Sequence, residues 1–230
     1  MKHFHIFSSL IILIFISLQT QAQTERVIPS DNYNYTENDT AAEYFEKGNY
    51  YFDKGRLIQA EKYYKLSIEA DSEFVEAYDN LGLTYRHMSE LDSAAKYYQI
   101  SIQLYPEGDM ALQNLGVVYE KQKRYEEAID IYTKLIAQNE SNPEGYYGRA
   151  RMYIFIEEYD AALKDALIAE DIYKAMESKY VMDAHYIIGL IYYFLDDVEN
   201  SKLYLLKAKD EGVDVPQSLL DAVGADTNPR

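Results

Sequence analysis

The hexapeptide Asn-Leu-Gly-Leu-Thr-Tyr at residues 80–85 returns as Asn-Leu-Gly-Val-Val-Tyr at 114–119, a displacement of 34 residues. The surrounding residues keep the same register. Tyr78, Leu81, Gly82, Tyr85, Ala94, Tyr98, Ser101 and Pro106 are followed one period on by Leu112, Leu115, Gly116, Tyr119, Ala128, Tyr132 and Leu135. One period back stand Tyr44, Gly48, Tyr51, Ala60, Tyr64 and Ser67; one period further forward stand Tyr146, Ala150, Tyr153, Ala162, Ala166 and Ala169. A fifth copy, displaced by five extra residues, carries Ile188, Gly189, Tyr192, Ser201, Leu205 and Ala208. A period of this length describes a unit that cannot bury its apolar face alone and does so against its neighbours. The chain is thereby committed to an array rather than to one compact centre.

Within each copy the large residues recur at helical spacing, interrupted by a polar connection such as Lys121-Gln122-Lys123-Arg124. Each copy therefore reads as two antiparallel helices of about 14 residues. Glycine occupies the same first-helix position in four copies (Gly48, Gly82, Gly116, Gly189) and alanine in the remaining one (Ala150). A mid-helix glycine costs roughly 1 kcal/mol relative to alanine, whereas burying one aromatic or leucine side chain contributes roughly 1.5–3 kcal/mol. The expected compensation is small against small: the glycines face Ala60, Ala94, Ala128, Ala162 and Ser201, with tyrosines filling the spaces above and below.

This pattern resembles the tetratricopeptide repeat family, with its large-x-x-Leu-Gly-x-x-Tyr…Ala-x-x-x-Phe…Pro signature and 34-residue period. Lys47 and His185 depart from it where large apolar residues are usual, and Ser72 replaces the terminal proline. The resemblance implies an all-α, right-handed superhelical solenoid of about five helix-turn-helix repeats. The frame sets them at 41–74, 75–108, 109–142, 143–181 and 182–215, the five extra residues lengthening the second helix of the fourth through Ile172-Tyr173-Lys174-Ala175-Met176. Val215-Pro216 and the apolar spacing of Leu219, Leu220 and Val223 add a short capping helix, with residues 224–230 expected to fray.

Stacked helix pairs turn slightly at each step and leave their first helices on a concave inner face. The residues placed there by the frame are Asn49, Asn80, Leu83, Arg86, Asn114, Val117, Tyr147, Arg151, Phe155, Tyr186 and Tyr193. Asn80 and Asn114 share one repeat position, where an amide can pair both N–H and C=O of an extended backbone. Some family members clamp a terminal carboxylate with Asn, Lys and Arg on three consecutive first helices. Here Asn49 and Asn80 match in kind, but Phe45, Met110 and Asn114 stand where the basic members belong, so that clamp is absent.

At the amino end, Lys2 precedes an apolar run from Ile6 to Leu18, 13 residues long, followed by Thr20-Gln21-Ala22. A membrane-spanning helix needs roughly 20 apolar residues. A secretory signal over 1–22, cleaved after Ala22, is the expectation, with an uncleaved membrane tether as the alternative. Residues 23–40 read as a flexible polar leader. The chain has no cysteine, which excludes disulfides and a lipidated cysteine and fits export to a bacterial periplasm or exterior. Loss of Lys2 with the signal takes the formal charge from −17 to −18. Such a surface repels phosphate backbones and anionic membranes, so no nucleic-acid partner is expected.

The sequence offers no constellation for catalysis, a cofactor or a metal ion. His185 falls at a helix-packing position and His87 near a helix end. The paired acids Glu157-Glu158 and Asp196-Asp197 fall in the turns within repeats. The 25 tyrosines mostly occupy structural positions of the repeat. The expectation is a non-enzymatic interaction scaffold holding a peptide or partner protein on the inner face, the alternative a self-assembling homo-oligomeric envelope component.

Overall fold

The structure, a computed structural model, describes residues 36–225; the expected signal and most of the leader lie outside the described residues. Eleven helices and no strand are found among those described. They are α1 (Asp39–Asp53), α2 (Leu57–Ala70), α3 (Val75–His87), α4 (Leu91–Leu104), α5 (Asp109–Lys121), α6 (Tyr125–Gln138), α7 (Pro143–Phe155), α8 (Tyr159–Ala175), α9 (Val181–Phe194), α10 (Val198–Asp210) and α11 (Gln217–Ala222). The chain divides into two compact units, with the boundary between Ile172 and Tyr173 inside α8.

In the unit before Tyr173, the helices from α1 to α7 pack as successive hairpins, each element against the next. The first helices also meet across tiers: α3 touches α5 and α5 touches α7, while α2, α4 and α6 make no contact of that extent with one another. First helices thus stand on the inner side of the stack.

The turns inside the repeats share one backbone device. Gly55, Ser89, Lys123 and Glu157, 34 residues apart, all have φ between 61° and 68°, and Asp196 has φ 59° in the last repeat. The left-handed residue stops the first helix so that the next can reverse. Glu157 and Asp196 are therefore turn residues, and Asp197 accepts a hydrogen bond from the Asn200 N–H as the N-cap of α10.

Helix packing departs from the small-against-small expectation. Ala60, Ala94, Ala128, Ala162 and Ser201 are indeed fully buried. What lies over the glycines, however, is a tyrosine ring: a Cβ built on Gly48 would fall 2.5 Å from Tyr64, and one on Gly82 2.9 Å from Tyr98. Tyr132 is held between two glycines, Gly116 at 2.6 Å in its own repeat and Gly148 at 2.4 Å in the next. Where the first helix carries Ala150, the second carries Ala166 instead of tyrosine, and both are fully buried. Glycine is thus spent on seating an aromatic ring, which buries far more apolar area than an alanine pair.

The amino-terminal boundary also differs. Asn38, read as leader, caps α1: its Oδ1 accepts from the Thr40 and Ala41 N–H groups, and its Nδ2 donates to the Ala70 carbonyl. Helix α8 runs 17 residues against 14 for α2, α4 and α6, so three of the five extra residues lengthen it.

In the unit from Tyr173 onward, α9 and α10 pair, and Ser201 Oγ donates to the Gly189 carbonyl at 2.7 Å. His185 is buried with Nδ1 2.5 Å from Glu211, a core histidine with a partner. Leu219, Leu220 and Val223 of the α11 region join Tyr186, Leu190 and Leu205 in one buried cluster. Gly224, expected to fray, takes φ 63°, and Ala225 is buried with its N–H donating to the Leu220 carbonyl.

Candidate functional site

The residues expected on the inner face fall into two groups. Asn49, Asn80 and Leu83 are interior, each under one-tenth exposed. Tyr64 Oη–H donates to Asn49 Oδ1 at 2.9 Å, and Asn80 Nδ2 donates to the same oxygen at 3.2 Å. The Asn80 amide thus ties the second repeat to the first instead of presenting itself to a partner backbone. Arg86, Asn114, Val117, Tyr147, Arg151 and Phe155 are partly exposed on α3, α5 and α7. In the later unit, Tyr186 is 2% exposed and belongs to the buried cluster, while Tyr193 lies partly exposed at its edge.

The exposed group has an apolar end and a charged centre. Phe155 stacks on Tyr125 at 4.7 Å with 12° between the rings. Val117 and, about one turn earlier on α5, Asn114 are both partly exposed. At the centre, Arg151 Nη2 donates to a Glu120 carboxylate oxygen, and the guanidinium lies 5.8 Å from the Tyr147 ring centroid. Glu120 is 8% exposed and Arg151 16%, so this pair is largely withdrawn from water.

Arg86 and Lys121 end α3 and α5, where a cation complements the helix dipole. Burial, followed by the charge of Arg86, holds the Lys121 ammonium below its ordinary value, with Glu120 acting the other way. Burial pushes the Tyr132 phenol well above its usual range, Glu120 adding to this and Arg151 and Arg86 opposing it. Burial likewise raises Tyr98, with Arg86 opposing and Asp79 adding. The charge of Arg86 thus opposes the shift of both phenols.

The phenol column explains part of this. Tyr64, Tyr98 and Tyr132 are equivalent, and each passes over a glycine toward the first helix. At the position that receives the hydroxyl, Asn49 is replaced by Leu83 and then by Val117. The Tyr98 hydroxyl accordingly has no hydrogen-bond partner although buried, and Arg151 Nε is another buried donor without one. Neither orphan was legible in the sequence, since each depends on what the facing helix offers.

Arg149, two residues before Arg151, faces the other way. Its Nε and Nη2 hold both Asp165 oxygens at 2.6 and 3.0 Å, and Nη1 reaches Thr133 Oγ at 3.1 Å, locking α7 to α8 and α6. Among the described residues no group of three or more His, Asp or Glu side chains could hold a metal ion, and no helix is long and apolar enough to cross a membrane.

Stacked helical hairpins with a first-helix inner face define a repeat protein of the helix-turn-helix class. Three family models, each described as tetratricopeptide repeat, match residues 73–141, residues 43–74 with 183–210, and residues 114–177. The chain belongs to the tetratricopeptide repeat family, and its fold is the all-α solenoid of that family. Solved structures with this fold include MamA 41-end from Desulfovibrio magneticus RS-1 (TM-score 0.69, 18% identity, covering 76% of this chain and 97% of that one). A MamA crystal structure has TM-score 0.66 and 22% identity over 84% of this chain and 98% of that one. YrrB, described as a TPR protein with an unusual peptide-binding site, has TM-score 0.63 and 21% identity over 82% and 92%. At these identities the likeness carries the fold. No curated protein matches the chain.

Proposed function

We propose that this is a non-enzymatic interaction protein that holds an extended segment of a partner protein along α3, α5 and α7. The observation that carries the reading is the grouping of partly exposed Arg86, Asn114, Val117, Tyr147, Arg151 and Phe155 on the inner sides of three consecutive first helices. An amide able to pair a backbone, an aromatic pair and a polar centre are the elements by which a groove recognises a peptide. The peptide-binding site named for YrrB supports the same use of this fold. The reading includes export: the apolar run Ile6–Leu18 and the absence of cysteine favour a cleaved signal and residence in a bacterial periplasm or cell envelope.

The test is a paired capture from the source envelope with wild type and with an Asn114→Ala, Val117→Ala, Phe155→Ala variant, bound proteins being compared by mass spectrometry. A partner held by wild type and lost from a variant with unchanged helical content supports the groove. Identical captured sets refute it. A mass that rises with concentration in light scattering points instead to a self-assembling component.

A further inference from the structure

Tyr64, Tyr98 and Tyr132 recur at the repeat period, each with its ring over the glycine of its own first helix: Gly48, Gly82 and Gly116. What lies beyond the ring is fixed by geometry in the tiers on either side of Tyr98. In the first tier, Tyr64 Oη–H and Asn80 Nδ2 both donate to Asn49 Oδ1, at 2.9 and 3.2 Å, so the hydroxyl stands beside residue 80 of the next first helix. In the third tier, the Tyr132 ring lies over Gly148 of the next first helix, where a Cβ would collide with its Cε1 and Cζ. Residues 80, 114 and 148 form one column of the repeat. The relation found on both sides places Asn114 beside the Tyr98 hydroxyl.

This middle tier has lost its internal acceptor. Leu83 stands where Asn49 receives Tyr64, and the Tyr98 hydroxyl, on a fully buried side chain, has no hydrogen-bond partner among the described residues. Buried polar groups are nearly always paired, so an orphan hydroxyl marks a place where an acceptor belongs. A ring that needed none would serve as phenylalanine, the residue of the family signature at this place. Asn114, meanwhile, is partly exposed on α5. Open to water, its amide loses rotamer freedom if one bond alone fixes it; a partner backbone supplies a second. The amide oxygen has two lone pairs and the nitrogen two hydrogens, so both bonds form at once, and each polarises the other.

We infer that Tyr98 is the positioning residue behind Asn114: with an extended segment on the inner face, Tyr98 Oη–H donates to Asn114 Oδ1 and holds the amide so that Nδ2 donates to a carbonyl of the segment's backbone. The inference rests on the groove reading above and names the residue that orients its backbone contact. It makes α5 the helix at which the main chain of the segment is gripped. The neighbouring members of the column do not serve, since the Asn80 amide is taken by Asn49 and residue 148 is a glycine. Recognition at this point is of main chain and is independent of the partner's side chain there.

The experiment is a double-mutant cycle. Phage-displayed random dodecapeptides are selected on the full-length chain, and the selected peptides are titrated by fluorescence anisotropy against wild type, Tyr98→Phe, Asn114→Ala and the double variant, with urea unfolding of each. The expected result is that Tyr98→Phe weakens the peptides roughly fivefold while raising the urea midpoint, and that the same change in the Asn114→Ala background leaves affinity unaltered. A hydroxyl that only shaped the core would act alike in both backgrounds. Equal effects of Tyr98→Phe with and without Asn114, or no effect in either, overturn the positioning role and leave the groove standing. So does a fall in the urea midpoint of Tyr98→Phe, which would mean that the hydroxyl is already paired in the free chain. Failure to select any peptide, or peptides whose binding survives the Asn114→Ala, Val117→Ala, Phe155→Ala variant, overturns the groove and the positioning role with it.

Discussion

Gly116 and Tyr132 are a matched pair: a Cβ at residue 116 would stand 2.6 Å from Tyr132 Cζ, inside the distance that carbon atoms tolerate. The ring is also closed from the other side by Gly148, so it cannot slide away from an added methyl group. Gly116→Ala improves intrinsic helix propensity by about 1 kcal/mol but overpacks a site with no slack, at a cost of about 1–3 kcal/mol on top of that gain. The net expectation is destabilisation, read as a lower urea midpoint. The double variant Gly116→Ala, Tyr132→Ala, which imitates the Ala150–Ala166 pair, should show a coupling that offsets part of the overpacking. Strict additivity would contradict the packing account.

Tyr64 and Tyr98 occupy equivalent places with opposite fates for their hydroxyls. Tyr64→Phe removes a hydrogen bond to Asn49 and is expected to cost about 1 kcal/mol. Tyr98→Phe removes a buried hydroxyl that has no partner and is expected to raise stability by a similar amount, about 1 kcal/mol. Equilibrium unfolding of the two single variants decides this. Loss of stability in both would mean that the Tyr98 hydroxyl is satisfied after all.

The intra-repeat turns offer a third check. Ser89, Lys123, Glu157 and Asp196 adopt a left-handed backbone that suits glycine, as Gly55 does in the first repeat. For a residue with a Cβ this conformation costs roughly 1–2 kcal/mol. Lys123→Gly is expected to raise stability by about 0.5–1 kcal/mol, the remainder being offset by the greater freedom of glycine in the unfolded chain. A fall in the thermal midpoint would contradict the turn assignment.

Alkaline pH should unfold the stack through its phenols. Tyr98 and Tyr132 are buried, and burial holds both well above the ordinary phenol value. The folded form keeps these protons while the unfolded chain releases them near pH ~10, so above that pH the unfolded state binds fewer protons and stability falls as pH rises. The contribution is fully present below the unfolded value. Urea midpoints measured across that range should drop, and more shallowly in Tyr98→Phe. Phenolate absorbance should show these groups ionising only with unfolding; their titration in the folded protein would contradict their burial.

The repeat frame made the hairpin array and the buried alanine column legible, because a period identifies positions that share an environment. It does not identify which of two facing columns meets a given residue. That is why the frame pairs Gly48, Gly82 and Gly116 with alanines although tyrosine rings lie over them. Asn80 shows the same limit from the surface side. Helical spacing puts it on the exposed stripe, but its amide is taken by Asn49, 31 residues earlier, in a contact between tiers that no local window contains. Asn38 reads as loop because a capping residue has loop chemistry, and only the carbonyl of Ala70 shows what it holds.

The central claim is that the inner sides of α3, α5 and α7 hold the partner. The most direct measurement places a photoreactive amino acid at Val117 or Arg86 on that side, or at Gln103 or Lys134 on the exposed sides of α4 and α6, and irradiates the cells that make the protein. Crosslinked adducts from positions 117 and 86 and none from 103 and 134 are predicted; adducts confined to 103 and 134 would contradict the account.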